Sequence, residues 1–212
     1  MSPKTSKDDS RALILEAAFE AFAENGYDAT SMDEIVKRSG LSKGTLYWHF
    51  KNKHDLFVAT LNAAMGGLDT AAAAALQDTE RSILDRVREL FVLAAQTFTA
   101  DLRWTRLLAN AFFQSYQSEE ARQALLEMYE KYLVMLTAVL QMGIDQGELR
   151  PMDTHSVAIV LLAGGDGIIF HRLLNPPWEI GPVMEVFVNT VLGGFVKEQT
   201  NHDSHGESGA DV

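Results

Sequence analysis

The chain has no cysteine among its 212 residues, which excludes disulfides and thiolate metal sites. It is also short of positive charge: 18 Lys and Arg stand against 29 Asp and Glu, a net of −11. That balance argues against binding nucleic acid through charge spread over the whole molecule. No stretch reaches the roughly 18 uninterrupted apolar residues that suggest a transmembrane helix. Residues 1–10 lack the apolar core of a secretory signal. These absences point to a cytoplasmic protein with no membrane partner. No Ser/His/Asp triad, paired-carboxylate cleft, Walker loop or Gly-rich dinucleotide turn is present. No catalytic residue, cofactor or metal site is therefore expected, and the chain is not read as an enzyme. Internal repeats are absent, and strand-like alternation is rare.

What is present is ordinary globular material, 47% hydrophobic and 22% charged, arranged as helix after helix. Leu15, Ala18, Phe19, Phe22 and Ala23 recur at helical spacing and form one apolar stripe. Asn25-Gly26 stops that helix, because glycine tolerates the left-handed conformation of a C-terminus. Ser31 and Glu34 form a Ser-x-x-Glu capping box that opens a second helix, which ends at Gly40. After Leu41-Ser42 a third short helix runs from about Lys43 to Phe50. Asn52 caps a fourth carrying Leu56, Phe57 and Leu61. Gly66-Gly67 reads as a break. Further helices are expected near 68–77, 82–101, 104–114, 119–142, 154–174 and 182–198. Asp101, Gly143 to Gly147, Pro151 and Asn175-Pro176-Pro177 punctuate them.

The charge distribution says more than its sum. Most of the acidic excess lies beyond residue 55, whereas residues 35–54 hold Lys37, Arg38, Lys43, Lys51 and Lys53 and no acid. Screening cuts off distant charge within about 8 Å at physiological salt, so a local patch is what phosphates feel. The same segment holds two short helices joined by Gly40-Leu41-Ser42, the length and composition of a helix-turn-helix turn. On its second helix Leu46 and Phe50 share one face and can pack inward. Gly44 and Trp48 lie opposite, flanked by Thr45 and Tyr47. Such a face suits a DNA major groove: Gly44 permits close approach, and Thr45 can touch base edges. Ser42 caps a helix N-terminus that favours phosphate, and Lys51 and Lys53 can hold flanking backbone. The alternative is that Tyr47 and Trp48 pack on a neighbouring element.

The run Thr30-Ser31-Met32-Asp33-Glu34-Ile35-Val36, continued by Gly40-Leu41-Ser42-Lys43-Gly44-Thr45-Leu46-Tyr47-Trp48-His49-Phe50-Lys51-Asn52-Lys53-His54-Asp55-Leu56-Phe57, closely resembles the DNA-binding signature of tetracycline-repressor-like (TetR) regulators. Ile14 to Tyr27 resembles the family's first helix. Trp48 stands where the family more often has Tyr. The resemblance implies that Thr30, Ser31, Lys43, Tyr47, His49, Lys51 and Lys53 lie near phosphates. It implies that Ser42, Lys43, Thr45 and Trp48 lie nearest base edges. It further implies an all-α chain in two parts. Residues 1–57 would be a three-helix DNA-binding domain with a helix-turn-helix, and residues 58–200 a larger helical ligand-binding and dimerisation domain. Residues 201–212 are polar and Gly/Ser-rich, and that composition points to a disordered tail. The expected partners are double-stranded DNA with a palindromic operator, a small-molecule effector, and a second copy of the chain in a homodimer.

The second part must be read from its own residues. Gly164, Gly165 and Gly167 interrupt a nearly apolar helix, and Gly193 and Gly194 do the same in the last one. Each interior glycine costs up to about 1 kcal/mol against alanine, so a cluster suggests close approach of another helix. The family builds its dimer interface from its last two long helices. Gly164, Gly167, Gly193 and Gly194 are therefore interface candidates, with packing inside one chain as the alternative. Trp104, Arg106, Phe112, Phe113, Gln114, Tyr116, Met135, Asp166 and His171, with Met128 nearby, are candidates for lining an apolar ligand site with a few polar groups. Plain core is the alternative for each. The leading reading is a DNA-binding repressor released by a small, largely apolar effector. The competing readings are an activator, a partner-controlled regulator, or an all-helical carrier or enzyme that binds no DNA.

Overall fold

The computed structural model describes residues 7–78, 80–174 and 177–197. Its helices are α1 (Lys7–Ala29), α2 (Met32–Ser39), α3 (Lys43–His49), α4 (Lys53–Gln77), α5 (Ile83–Ala100), α6 (Leu102–Gln114), α7 (Glu119–Asp145), α8 (Thr154–His171) and α9 (Ile180–Gly193), with a 3-10 turn over Arg172–Leu174 after α8. Among the described residues there is no strand, only an isolated bridge between Leu149 and Val196. The expected all-α, two-part architecture is what forms. The tail 201–212, Asn175-Pro176 and residues 198–200 lie outside the described residues.

The turn chemistry acts where the sequence places it. The regular part of α1 ends at Gly26, which takes φ 78°, and Gly40 closes α2 at φ 69°. Ser31, Ser42 and Asn52 accept from the backbone N–H groups of Glu34, Thr45 and Asp55, capping α2, α3 and α4. Only half of the expected capping box forms. The Glu34 carboxylate accepts from Arg38 and from Asn25.

Two boundaries differ from the sequence reading. There is no break at Gly66-Gly67: α4 runs straight through, so the division at residues 57/58 falls inside a helix. Phe57, Leu61, Met65, Leu68 and Ala72 are all buried. They form a stripe at helical spacing on both sides of the glycines, and its burial outweighs their low helix propensity. The last helix begins at Ile180 and ends at Gly193, short of residue 198. Pro182 sits in its first turn, where a missing N–H costs nothing.

The N-terminal core joins Ile14, Phe22, Tyr27, Ile35, Leu46, Phe50, Leu56 and Phe57, all buried. Phe22 meets Phe57 edge-on at 4.8 Å between ring centroids. Helix α1 then lies along α6, and α5 along α9, with α7 and α8 packed together. The α1–α6 seam has specific chemistry. Phe19 packs on Trp104 at 4.2 Å, Asn110 donates to the Ala23 carbonyl at 3.1 Å, and Gln114 Oε1 accepts from the backbone N–H groups of Tyr27 and Asp28.

Two segments, Lys53–Ala74 and Thr154–Leu174, are long and apolar enough to cross a membrane by length and composition. The first is a wall of the core described above. In α8, Ala158, Leu161, Gly165 and Ile169 face the core while Ile159, Val160 and Ala163 stay exposed.

Candidate nucleic-acid interface and buried cavity

Helix α3 is anchored by Leu46, fully buried, and by Phe50 at its end. Its outer face carries Gly44, Tyr47 and Trp48, the last 62% exposed. Among the described residues nothing crowds Gly44. A Cβ there would meet only the Ser42 hydroxyl, at 3.8 Å. Ser42 Oγ lies 2.8 Å from Thr45 Oγ1 while it caps the helix. The indole of Trp48 is held at the surface by the Lys7 ammonium, 4.8 Å from the ring. Arg11 lies over Phe50. His49 shares a 2.9 Å hydrogen bond with Ser10. Burial, then Arg11 and Lys7, push its pKa below the ordinary imidazole value. The N-terminal turns of α1 thus add two cations, Lys7 and Arg11, beside α3. The sequence reading missed them because they lie more than thirty residues away along the chain.

The basic segment 35–54 is less free than its composition suggests. Arg38 pairs with Glu24 and Glu34. Lys43 pairs with Asp33 at 2.7 Å, which raises its pKa. Lys53 donates to the carbonyls of Tyr27 and Asp28 and sits over the Tyr27 ring, closing the end of α1. Thr30 is buried, its hydroxyl donating to the carbonyls of Ala21 and Gly26. Thr30 and Lys53 are therefore used inside the fold. Among the described residues Lys37 and Lys51 are exposed and make no ion pair, and Ser31 is exposed at the head of α2.

In the second part, a cavity of about 80 Å³ lies among α4, α5, α6, α7 and α8. Met65 and Leu68 come from α4, Phe91 and Phe98 from α5, Leu108 from α6, Met128, Tyr129, Tyr132 and Met135 from α7, and Leu162, Asp166 and Ile169 from α8. Asp166 accepts from the Tyr129 hydroxyl. Burial pushes the Asp166 carboxyl up to about 6, and the Tyr129 hydrogen bond partly offsets this. Burial and the nearby Asp166 charge push the Tyr129 phenol upward in turn. The Tyr132 hydroxyl donates away from the cavity, to Asp69 at 2.8 Å.

Of the residues nominated for a ligand site, the cavity brings together Met135 and Asp166, with Met128. Phe112 packs edge-on against Tyr129 and Phe170, one layer behind the wall. Trp104 and Gln114 belong to the α1–α6 seam. Arg106, Phe113 and Tyr116 point to solvent, Tyr116 being 91% exposed. His171 is exposed and bonded to the Gly167 carbonyl within its own helix. Phe113 and Tyr116 follow the last buried turn of α6, where the apolar stripe gives way to a polar end. The missed lining residues of α4 and α5 stand at helical spacing (Met65 with Leu68, Phe91 with Phe98), which was the available signal.

The glycines divide. A Cβ on Gly164 would strike Phe187 of α9, and one on Gly165 would strike Phe91; both glycines serve packing within the chain. Among the described residues, a Cβ on Gly167, Gly193 or Gly194 would meet nothing within 4 Å, and Gly193 and Gly194 are exposed. Val186, 65% exposed, continues the outward face of α9.

Comparison with known proteins agrees with this geometry. Residues 14–60 match the family described as bacterial regulatory proteins, tetR family. The chain is 32% identical to the HTH-type transcriptional regulator YfiR of Bacillus subtilis over 82% of this chain and 86% of that protein. It is 28% identical to the HTH-type transcriptional regulator TtgR of Pseudomonas putida over 82% and 84%. The fold resembles that of SmeT in its triclosan complex (TM-score 0.77, 21% identity, 89% of this chain and 92% of that one). It also resembles FadR of Bacillus subtilis in complex with stearoyl-CoA (TM-score 0.74, 21% identity, 86% and 98%). A shared helix-turn-helix unit, a shared helical second part and one-third identity to a relative along most of its length make this chain a member of the tetR family of bacterial regulatory proteins.

Proposed function

We propose that this regulator is a repressor that binds a palindromic operator as a homodimer and is released by a small, largely apolar effector. The observation that carries DNA reading is the outward face of α3. Tyr47 and Trp48 stand in solvent beside an uncrowded Gly44, on a helix whose other side is buried. Exposed aromatics on a rigid helix need a partner surface, and a major groove admits one helix. Ser42, Thr45 and Trp48 are the base-facing candidates. Ser31, Lys51 and Lys7 are the phosphate-facing ones, with Lys43 available once it leaves Asp33. Two-fold pairing is supported by the exposed apolar strip of α8 and α9 around Ile159, Val160, Val186 and Gly193. The sign is supported by the description of the fold neighbour SmeT as a repressor.

Effector release has a mechanical basis. The cavity wall includes Met65 and Leu68 of α4, and the same helix starts at Asn52 beside α3. Asn52 and Met65 are separated by about 20 Å at ~1.5 Å per helical residue. Helix α6 offers a second lever: Leu108 faces the cavity, and Gln114 holds the backbone of Tyr27 and Asp28. A ligand that spreads α4 or α6 moves α3, and both α3 helices of a dimer must seat together. Linkage requires the reverse effect to be equal.

Selection of bound duplexes from a random pool tests the reading. The expected product is a near-palindrome whose half-site centres lie about 34–36 Å apart, or a multiple of that. Absence of salt-sensitive binding to any duplex refutes it.

A further inference from the structure

The cavity is apolar on every side but one. At that side stands a single carboxyl group, Asp166. Tyr129 occupies one of its acceptor positions, and among the described residues no basic side chain pairs with it. Packing does not call for an acid here. A buried carboxylate without a cation is costly, and an apolar or amide side chain of similar size would fill the space at less cost. Four rings line the same cavity, those of Phe91, Phe98, Tyr129 and Tyr132, and aromatic faces attract organic cations. The cavity volume of about 80 Å³ is several times the roughly 10–15 Å³ that one water requires.

We infer that Asp166 forms a selective subsite for the ammonium group of an apolar amine, whose hydrocarbon part fills the rest of the cavity. The inference rests on the reading of this cavity as the effector site. An ammonium brings charge-assisted hydrogen bonds to the free acceptor positions of the carboxylate and supplies the missing counter-charge. An acidic ligand would meet like charge in a medium of low polarity and would be turned away from this end. Among the described residues, the remaining ionisable groups at the cavity are Tyr129 and Tyr132, both held neutral by burial, and helices α4, α5 and α6 present only apolar side chains to it. Beyond Tyr132 lies the Asp69–Lys131 pair, outside the lining.

The test is calorimetric titration of the full chain with three probes of similar size: 2-phenylethylamine, 2-phenylethanol and phenylacetate. The amine should bind at least about tenfold tighter than the alcohol, the contribution of one hydrogen bond to a charged group, and phenylacetate should bind weakest. Amine affinity should rise as pH increases through about 6, where Asp166 ionises, while alcohol affinity stays flat. Asp166→Asn should abolish the difference between amine and alcohol yet retain alcohol binding and the helical circular dichroism of the parent. Equal binding of amine and alcohol, a preference for phenylacetate, selectivity that survives Asp166→Asn, or no binding of any probe would overturn the inference. Titrations repeated with operator DNA separate this from the functional reading. An amine that binds through Asp166 but leaves DNA affinity unchanged keeps the subsite and removes the effector role. An apolar acid that releases DNA from parent and Asp166→Asn alike keeps the regulator and removes the subsite.

Discussion

Replacing Asp166 by Asn should stabilise the protein, and increasingly so as pH rises. The folded-state pKa of Asp166 is raised from 3.8 to about 6, chiefly by burial. A raised value means the fold holds the proton better than the unfolded chain does. The resulting stability is fully present below the unfolded value of 3.8 and is lost as pH climbs through about 6. Each pKa unit corresponds to about 1.4 kcal/mol, so the ionised carboxylate costs the fold about 3 kcal/mol at alkaline pH. Asn keeps the size and can still accept from the Tyr129 hydroxyl, but it never ionises. The gap between variant and parent should therefore widen by about 1.4 kcal/mol between about pH 5 and about pH 8. Urea unfolding at the two pH values, at one fixed protomer concentration because the proposed dimer would couple stability to it, measures the gap. A gap that stays constant, or that narrows as pH rises, would refute the assignment of Asp166 as a carboxyl group strained by burial.

Other substitutions separate residues that look alike in sequence. Lys51→Ala should weaken binding to all duplexes and lower the log–log salt slope by about one. Lys53→Ala should instead lower the melting temperature, since its ammonium closes the end of α1 on the Tyr27 and Asp28 carbonyls; anisotropy and thermal melts distinguish the two. Gln114→Ala removes two hydrogen bonds between α6 and the end of α1. It should cost about 1–3 kcal/mol of stability and shrink the ligand-induced change in DNA affinity, measured by titration with and without operator. Gly193→Arg places a bulky charge on the outward face of α9. Sedimentation should show monomer and operator affinity should collapse, whereas a fully dimeric variant would place the interface elsewhere. Gly164→Ala, by contrast, collides with Phe187 of the same chain and should lower stability without changing the sedimentation of the folded protein.

Legibility in the sequence followed the range of the interactions. Ser31, Ser42 and Asn52 cap helices with atoms three residues away, and Gly26 and Gly40 turn the chain through their own φ, so these features could be read from neighbours alone. The break read at Gly66-Gly67 was an error of the same local logic. Two weak helix formers were weighed, while the stripe from Phe57 to Ala72 that keeps the helix intact was not followed across them. The candidate ligand residues at the end of α6 failed for a related reason. Phe113 and, in the turn just beyond the helix, Tyr116 are apolar by type, but the faces of α6 that α1 and α7 cover had already been filled by other residues.

The sequence by itself determined the helical class, the helix-turn-helix, its buried and outward faces and the family, because each depends on contacts within a few residues or on a contiguous motif. Only the tertiary structure decided which of those residues are free to act. Arg38 meets Glu24 from fourteen residues away, and Lys53 and Thr30 are consumed by the end of α1. Gln114 reaches Tyr27 across 87 positions, turning a presumed ligand contact into the joint between the two parts. Met65 and Asp166 face one cavity from opposite halves of the chain. Periodicity sets which side of a helix is apolar, but the crossing of helices sets what that side meets. That crossing places the Asp166 carboxyl, bonded to the Tyr129 hydroxyl and with no basic partner among the described residues, against an otherwise apolar wall.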